Sequence, residues 1–400
     1  MEGTKRLQVL SAHLVPAPAS GSGGGNGGKG IDELRTPCCV VDHAVASANA
    51  ARMLGTAQRL GCKLRPHVKS HKTVEGALLQ TGGVRERIVV STLAEASFFA
   101  DAGFDDILYA VPITPDKVPQ AAALHAQLSK FQVMVDHEVQ FDALAAYGSP
   151  DPAAQAQWAV CLMVDCGYHR DGVDPAAEES LALCQKITSC SSARLCSLYT
   201  HGGHSYGGGV LAAGEAERDA LLLLKSRMQT AGIDCSRLTV GVGSTPTSSQ
   251  PPAHLDGIDE MHPGNYVIND AMQVALGSCG PADVAVRVLT RVLGHYPKNN
   301  MLLIDLGWTG ASAQGSAEGY GYFDGHPELK IATLKQEAGE VESATGAPID
   351  FDKFPIGSIL KLVPFHSCAS SAAHNKLHVL QDGVVSGQWQ TIRATRFDGW

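Results

Sequence analysis

A lysine set between histidines, in Leu64-Arg65-Pro66-His67-Val68-Lys69-Ser70-His71-Lys72, is the stretch of this sequence best equipped for chemistry. Read as an extended strand, it points Arg65, His67, Lys69 and His71 one way and Leu64, Pro66 and Val68 the other. A lysine held among imidazoles and cations has its ammonium form disfavoured. The free amine that results is what a Schiff base with a carbonyl requires. A solvated basic strand end would show the same pattern, so the weight falls on what accompanies it.

Four other segments carry usable groups. His366-Ser367-Cys368 follows the apolar run Ile359-Leu360-Lys361-Leu362-Val363. In extended chain, positions i and i+2 face one side about 6–7 Å apart. That suits two ligands converging on Zn2+ with bonds of about 2.0–2.3 Å. Two protein ligands leave positions open for water or substrate, as catalysis needs. His374 is an optional extra ligand. Gly241-Val242-Gly243-Ser244-Thr245-Pro246 is a small-residue turn whose N–H groups could approach a phosphate, with Ser244 and Thr245 adding hydroxyls. His262-Pro263-Gly264-Asn265-Tyr266 offers a second such turn, and in Tyr199-Thr200-His201-Gly202-Gly203-His204-Ser205-Tyr206-Gly207 aromatic rings could pack on a planar pyridine. Each has a plainer reading as a tight turn or a loop with satisfied polar groups.

The elements that must position these groups follow from hydrophobic periodicity. Strand-like runs at 63–69, 87–90, 106–110, 131–135, 158–164, 194–200 and 238–242 alternate with Ala-rich amphipathic stretches such as 93–102, 118–128 and 215–230. Thr92-Leu93-Ala94-Glu95 matches a capping box directly after a strand. Seven strands in alternation with helices, and an eighth near 257–261, predict an α/β fold: a (β/α)8 TIM-type barrel over 63–282 with a parallel sheet. Functional groups are then expected at the C-terminal strand ends, where Lys69 and the two small-residue turns fall. Beyond residue 282 the texture turns β-rich. Val284, Val286, Val288, Thr290 and Val292 share one face at period two, and 283–400 reads as a separate β domain. Residues 35–62 hold a short strand at 38–41, expected to pair with that β domain, and a helix from about His43 to Leu60. Residues 1–34 read as a disordered low-complexity leader.

Composition narrows the class. The chain has 400 residues, room for two domains, and its hydrophobic share of 44% against 18% charged is that of an ordinary globular enzyme. A net charge of -9 without a basic run argues against nucleic acid or membrane as partner, and no apolar stretch is long enough to span a bilayer. Eleven cysteines in irregular positions, with no CxxC pair, point to a reducing, cytoplasmic setting. Residues 1–16 leave organelle targeting as the alternative.

Taken in order, Arg65-Pro66-His67-Val68-Lys69-Ser70-His71-Lys72-Thr73, Ser91-Thr92-Leu93-Ala94-Glu95-Ala96, Gly243-Ser244-Thr245-Pro246, His262-Pro263-Gly264-Asn265-Tyr266 and Pro364-Phe365-His366-Ser367-Cys368 closely resemble the eukaryotic D-serine dehydratases and their relatives the D-threonine aldolases. These are fold type III pyridoxal-phosphate enzymes with an alanine racemase-like barrel and a C-terminal β domain. The resemblance implies that Lys69 carries pyridoxal 5'-phosphate and acts on the substrate. It implies that Tyr199, Tyr206, Ser244, Thr245, Gly264 and Asn265 contact the cofactor, and that His366 and Cys368 bind metal. His-x-Cys resembles the dehydratase branch, whereas the aldolases carry His-x-Asp. A thiolate selects Zn2+, and a carboxylate would suit Mn2+ or Mg2+. Elimination of water from D-serine is therefore the expected activity, in a homodimer by resemblance. Retro-aldol cleavage of D-threonine, with His67, His71, His201 or His204 as base, is the alternative. A non-catalytic pyridoxal-phosphate binder or a racemase would have no evident use for His366 and Cys368.

Overall fold

The computed structural model describes residues 29–394, which fall into two compact units. One comprises the described residues up to Asn49, Ser70–Thr73, and the chain from Asn265 onward; the other comprises Ala50–Lys69 and Val74–Gly264. The first unit begins its sheet with β1 (Cys38–Asp42), which runs antiparallel to the later strand Val286–Tyr296 and parallel to Lys376–Gln381.

The second unit is a parallel eight-stranded sheet. Its strands are β2 (Lys63–Leu64), β3 (Ile88–Val90), β4 (Asp106–Pro112), β5 (Lys130–Val135), β6 (Trp158–Met163), β7 (Ala193–Tyr199), β8 (Thr239–Val242) and β9 (Glu260–Met261), in the order β2-β9-β8-β7-β6-β5-β4-β3. A parallel bridge between His67 and Val89, with the Val89 N–H donating to the Pro66 carbonyl at 2.9 Å, joins the two ends of that order into a ring. This is the (β/α)8 arrangement that the alternating runs predict. Each strand feeds a helix, and the local signals operate as expected. Thr92 Oγ1 accepts the Glu95 N–H at 3.1 Å while Glu95 returns a bond to the Thr92 N–H, starting the helix Leu93–Asp101 right after β3.

The ring interior packs Val89, Leu108, Met134, Cys161, Met163 and Tyr199. It also holds a buried ion cluster. Arg65 Nε lies 2.7 Å from Glu260 Oε2, and its Nη1 lies 2.6 Å from Asp106 Oδ1. Three strand ends distant in sequence are thereby pinned by one guanidinium. Its planar fork matches two carboxylates, which an ammonium could not do.

The remaining strands are β10 (Val286–Tyr296), β11 (Met301–Ile304), β12 (Gly321–Phe323), β13 (Leu329–Leu334), β14 (Gly339–Ser343), β15 (Ile359–Pro364), β16 (Lys376–Gln381) and β17 (Val384–Gln390). They form a nine-stranded mixed sheet, β13-β14-β11-β10-β1-β16-β17, with β15 pairing to β10 and β12. The period-two face holds: Val284, Val286, Val288, Thr290 and Val292 are all buried. Val288 and Val292 join Leu302, Ile304, Phe323, Val341 and Leu362 in the core of this unit.

Three expectations need correction. The strand predicted over 63–69 ends at Leu64, and Val68–Ser70 is a 3-10 turn, so Lys69 does not share an extended face with Arg65 and His67. The predicted leader of 1–34 runs too far. Lys29 bridges Val385, Ile31–Glu33 is a 3-10 turn, and Leu34 is buried with Cys38, Val40 and Leu289, an apolar anchor that composition hides. The rest of that leader, and the targeting alternative for 1–16, lie outside the described residues. Finally, the units divide at Gly264 rather than at residue 282. Asp270, which caps the helix Ala271–Ala275, is bonded to Ser367 and so draws that stretch into the β unit. Among the described residues no helix is long and apolar enough to cross a membrane.

Candidate active site

Lys69 stands in the turn that follows β2. The approach to it is extended: Arg65 N–H bonds the Met261 carbonyl and His67 N–H bonds the Pro263 carbonyl. The chain then tightens because the Lys69 N–H turns back onto His67 Nδ1 at 3.4 Å. With Nδ1 accepting, His67 Nε2 carries the hydrogen and donates to Ser91 Oγ at 3.1 Å. His67 is thus occupied at both nitrogens and is a poor candidate for the extra base. His71 engages Thr73 through Nδ1 alone in the bonds it makes there.

The other strand ends complete this part of the site. Gly264, after β9, passes so close to His67 that a Cβ there would fall 2.6 Å from the His67 carbonyl oxygen, so only glycine fits. Its own carbonyl accepts from Gln80 Nε2 at 3.0 Å. Tyr199, at the end of β7, is buried with its ring stacked on His262 at 4.5 Å between centroids. That face of the phenol serves His262. Burial holds the His262 imidazole down to about 4, and its Nδ1 lies 3.3 Å from the Arg65 carbonyl. Tyr206 sits in the 3-10 turn Gly203–Gly207. His201 is held down to about 3, by burial first and then by the charges of Lys69 and Arg170. A neutral His201 whose Nδ1 faces the Gly243 carbonyl leaves Nε2 as a lone-pair base in the field of Lys69.

The turn after β8 differs from expectation in one respect. Ser244 was expected to donate to a phosphate. Its N–H instead donates to Thr247 Oγ1 at 3.0 Å, and its hydroxyl is held between Thr247 and Ser205 Oγ. Ser244 therefore shapes the turn and ties it to the β7 loop. The neighbouring Ser248 Oγ is buried with no hydrogen-bond partner among the described residues, and Thr245 is buried too. A backbone that only glycine permits at 264, an unpaired buried hydroxyl at 248 and an amine at 69 together fit a phosphorylated aldehyde cofactor.

In the β unit, His366 and Cys368 meet, but not in extended chain. His366 caps the helix Ser367–Ser371, which places Cys368 in its first turn. The two side chains bond to each other all the same. Asp270, fully buried, organises the pair: its Oδ2 lies 3.1 Å from His366 Nδ1 and accepts the Ser367 N–H at 2.9 Å and Asn265 Nδ2 at 2.8 Å. Cys368 Sγ lies 2.9 Å from Ser70 Oγ and 3.4 Å from Asn265 Nδ2. Burial would lower the His366 imidazole, but the Cys368 thiolate and the Asp270 carboxylate outweigh it and raise the group to about 11. Burial would raise the Cys368 thiol, yet His366, Ser70 and Asn265 bring it down to about 7.

A carboxylate behind Nδ1 leaves Nε2 for a metal, and donors around Sγ favour the thiolate; both suit a soft divalent cation such as Zn2+. Among the described residues no third His, Cys, Asp or Glu completes a cluster. His374 is not part of it, since its Nε2 bonds the Gly310 carbonyl. Asn265, expected at the cofactor, has its amide nitrogen committed to Asp270, Ser367 and Cys368. Ser70 is the residue after Lys69 in the chain.

Sequence reasoning missed Asp270, Glu217 and Arg170. Nothing local marks Asp270. Glu217 could have been found, because Ala213, Glu217, Leu221, Leu224 and Met228 fall on the buried stripe of the helix Val210–Thr230.

Comparison with known proteins is consistent with this geometry. The alanine racemase N-terminal domain family matches residues 41–270, and the serine dehydratase domain family matches residues 285–380. A D-serine dehydratase of Dictyostelium discoideum is 34% identical, over 88% of this chain and 95% of its own. The solved D-threo-3-hydroxyaspartate dehydratase of Delftia sp. HT23 is 33% identical, covers 93% of this chain and 100% of its own, and superposes with a TM-score of 0.85. A D-threonine aldolase of Arthrobacter sp is 28% identical over 96% of this chain and 97% of its own.

Proposed function

The chain belongs to the D-serine dehydratase and D-threonine aldolase family of fold type III pyridoxal-phosphate enzymes, and from that premise we propose that this lyase is a zinc-dependent D-serine dehydratase. The observation that carries the choice is the Cys368 thiol. It is drawn toward thiolate by His366, Ser70 and Asn265, and a thiolate donor suits Zn2+. The likeness to D-serine dehydratases supports it.

Pyridoxal phosphate, when bound, supplies an electron sink for charge developing at the substrate Cα. Lys69 would hold that cofactor, and its free amine would take up the Cα proton. Thr245, Tyr206 and the Gly264 turn orient the cofactor, and Ser244 keeps the β8 turn in shape. His366 and Cys368 would hold the cation, which supplies Lewis acidity toward the β-hydroxyl. Overall, the Cα–H and Cβ–O bonds break, water leaves, and hydrolysis of the resulting 2-aminoacrylate gives pyruvate and ammonia. The eleven cysteines, all free, support a reducing, cytoplasmic setting. A homodimer belongs to this reading too, and sedimentation tests it.

Product analysis decides the main point. Purified protein with pyridoxal phosphate and Zn2+ is given D-serine, D-threonine and D-threo-3-hydroxyaspartate in parallel. Pyruvate and ammonia from D-serine, at the highest kcat/KM of the three, is the expected result. Glycine as the dominant product from D-threonine would replace elimination by carbon–carbon cleavage. A preference for D-threo-3-hydroxyaspartate would keep elimination and change the substrate.

A further inference from the structure

Glu217 is a carboxylate without a cation. It lies midway along the helix Val210–Thr230, is 1% exposed, and among the described residues no arginine or lysine pairs with it. A buried carboxylate of this kind is costly unless its lone pairs are satisfied. Here they are satisfied by two loops. The Gly202 N–H, in the loop after β7, donates to Oε1 at 2.5 Å. Gly243, in the turn after β8, and Thr247 also favour the carboxylate form. The fit against the first loop is tight, since a Cβ on Gly202 would fall 2.6 Å from Oε1.

These are the two loops that carry His201 and Tyr206 on one side and Ser244 and Thr245 on the other. A second bond joins them farther out, between Ser205 Oγ and Ser244 Oγ at 2.9 Å. A single side chain therefore sets the spacing between the loop that flanks the cofactor ring and the turn assigned to its phosphate. We propose that Glu217 is a positioning residue for pyridoxal phosphate, acting from behind the two loops without touching the cofactor. This rests on the cofactor reading given above.

Burial holds the carboxyl up at about 7, against the donors from Thr247, Gly202 and Gly243 that favour the anion. The titratable groups facing it are Cys166, pushed up to about 11 by burial, and Tyr199, pushed above its usual value by burial. Both stay neutral across pH 6 to 8.5 on that account, about the range over which Glu217 itself changes charge. A glutamine at 217 keeps one acceptor oxygen and turns an NH2 toward one of the donors, so it mimics the protonated glutamate.

The experiment compares wild type with Glu217→Gln. Two quantities are read: the pyridoxal-phosphate dissociation constant from the visible band of the bound cofactor, and the melting temperature of the cofactor-free protein. Glu217→Gln should weaken cofactor binding about tenfold at pH 8.5, the cost of one lost hydrogen bond to a charged acceptor. The difference should close toward pH 6, where the wild-type carboxyl takes up its proton. The cofactor-free Glu217→Gln protein should melt no lower than wild type, since it has lost a buried charge. Equal cofactor affinities at pH 8.5 overturn the proposal. So does a loss that is independent of pH and tracks a lower melting temperature, which would make Glu217 merely structural. Failure of wild type to bind pyridoxal phosphate would overturn the cofactor reading itself, a result told apart by the missing visible band.

Discussion

Asp270→Asn should weaken Zn2+ binding about 10- to 100-fold while leaving the two ligands in place. The range follows from the bonds that Asp270 makes. Its Oδ2 faces His366 Nδ1, the Ser367 N–H and Asn265 Nδ2, and its Oδ1 caps the Gln273 N–H at 2.9 Å. An asparagine has one acceptor oxygen. If that oxygen keeps the cap, an NH2 group confronts the His366 N–H and the imidazole must turn away. If it takes the His366 side, the cap is lost at about 1 kcal/mol. In that orientation a charge-assisted bond worth about 1.5–3 kcal/mol becomes a neutral one worth about 1. The difference, about 0.5–2 kcal/mol, brackets the tenfold end. Loss of imidazole orientation, as at other carboxylate–histidine–metal sites, sets the hundredfold end. The assay is competition with a chromophoric chelator at fixed pH, with turnover of D-serine followed as zinc is returned. Excess zinc should restore most activity, because the ligands themselves remain. Zinc affinity within twofold of wild type would show that Asp270 only holds the helix Ala271–Ala275, and the metal argument from second-sphere geometry would collapse.

Four further outcomes follow from the same geometry. Lys69→Ala should remove the visible band of bound cofactor and nearly all turnover; a retained band would shift the attachment to another lysine, Lys72 first. Chelation should abolish pyruvate formation and Zn2+ should restore it, whereas full activity in metal-free protein would make His366 and Cys368 a plain hydrogen-bonded pair. Arg65→Ala should destabilise the fold by about 3–5 kcal/mol in urea denaturation, since Asp106 and Glu260 would be left buried without their cation. In that variant the deficit should shrink toward acid pH: the Glu260 carboxyl, held below its usual range by Arg65 in the wild type, rises when the guanidinium goes and takes up a proton.

The barrel was legible because its signals are local. β-strand runs of four to seven apolar residues, the Thr92–Glu95 box and the period-two face of β10 each need only neighbours in sequence to take shape. What escaped depends on distant partners. The chain leaves the strand before Lys69 because His67 Nδ1 takes the Lys69 N–H, a bond favoured once Ser91 fixes the other nitrogen of the ring. Cys368 is helical because the Ser367 N–H is anchored by Asp270, which lies 97 residues before Ser367. Ser244 has the residue type of a phosphate donor, and only the positions of Ser205 and Thr247 show that it also ties the β8 turn to the β7 loop. Residue types announced the chemistry; the hydrogen-bond partners, set by tertiary structure, decided who performs it.

Charge is distributed to the same end. His201 and His262, at the strand ends around Lys69, are kept neutral by burial, so neither adds a second proton where an amine must act as base. His366 and Cys368 are instead polarised against each other, the state from which an incoming cation has only to displace a proton from the imidazole. The turn Val68–Ser70 carries both the amine of Lys69 and the hydroxyl that supports Cys368 Sγ. A conservative Ser70→Ala change therefore separates the two contributions. It leaves the backbone at Lys69 untouched and removes a donor from the thiolate, so its effect belongs in zinc affinity and not in cofactor attachment.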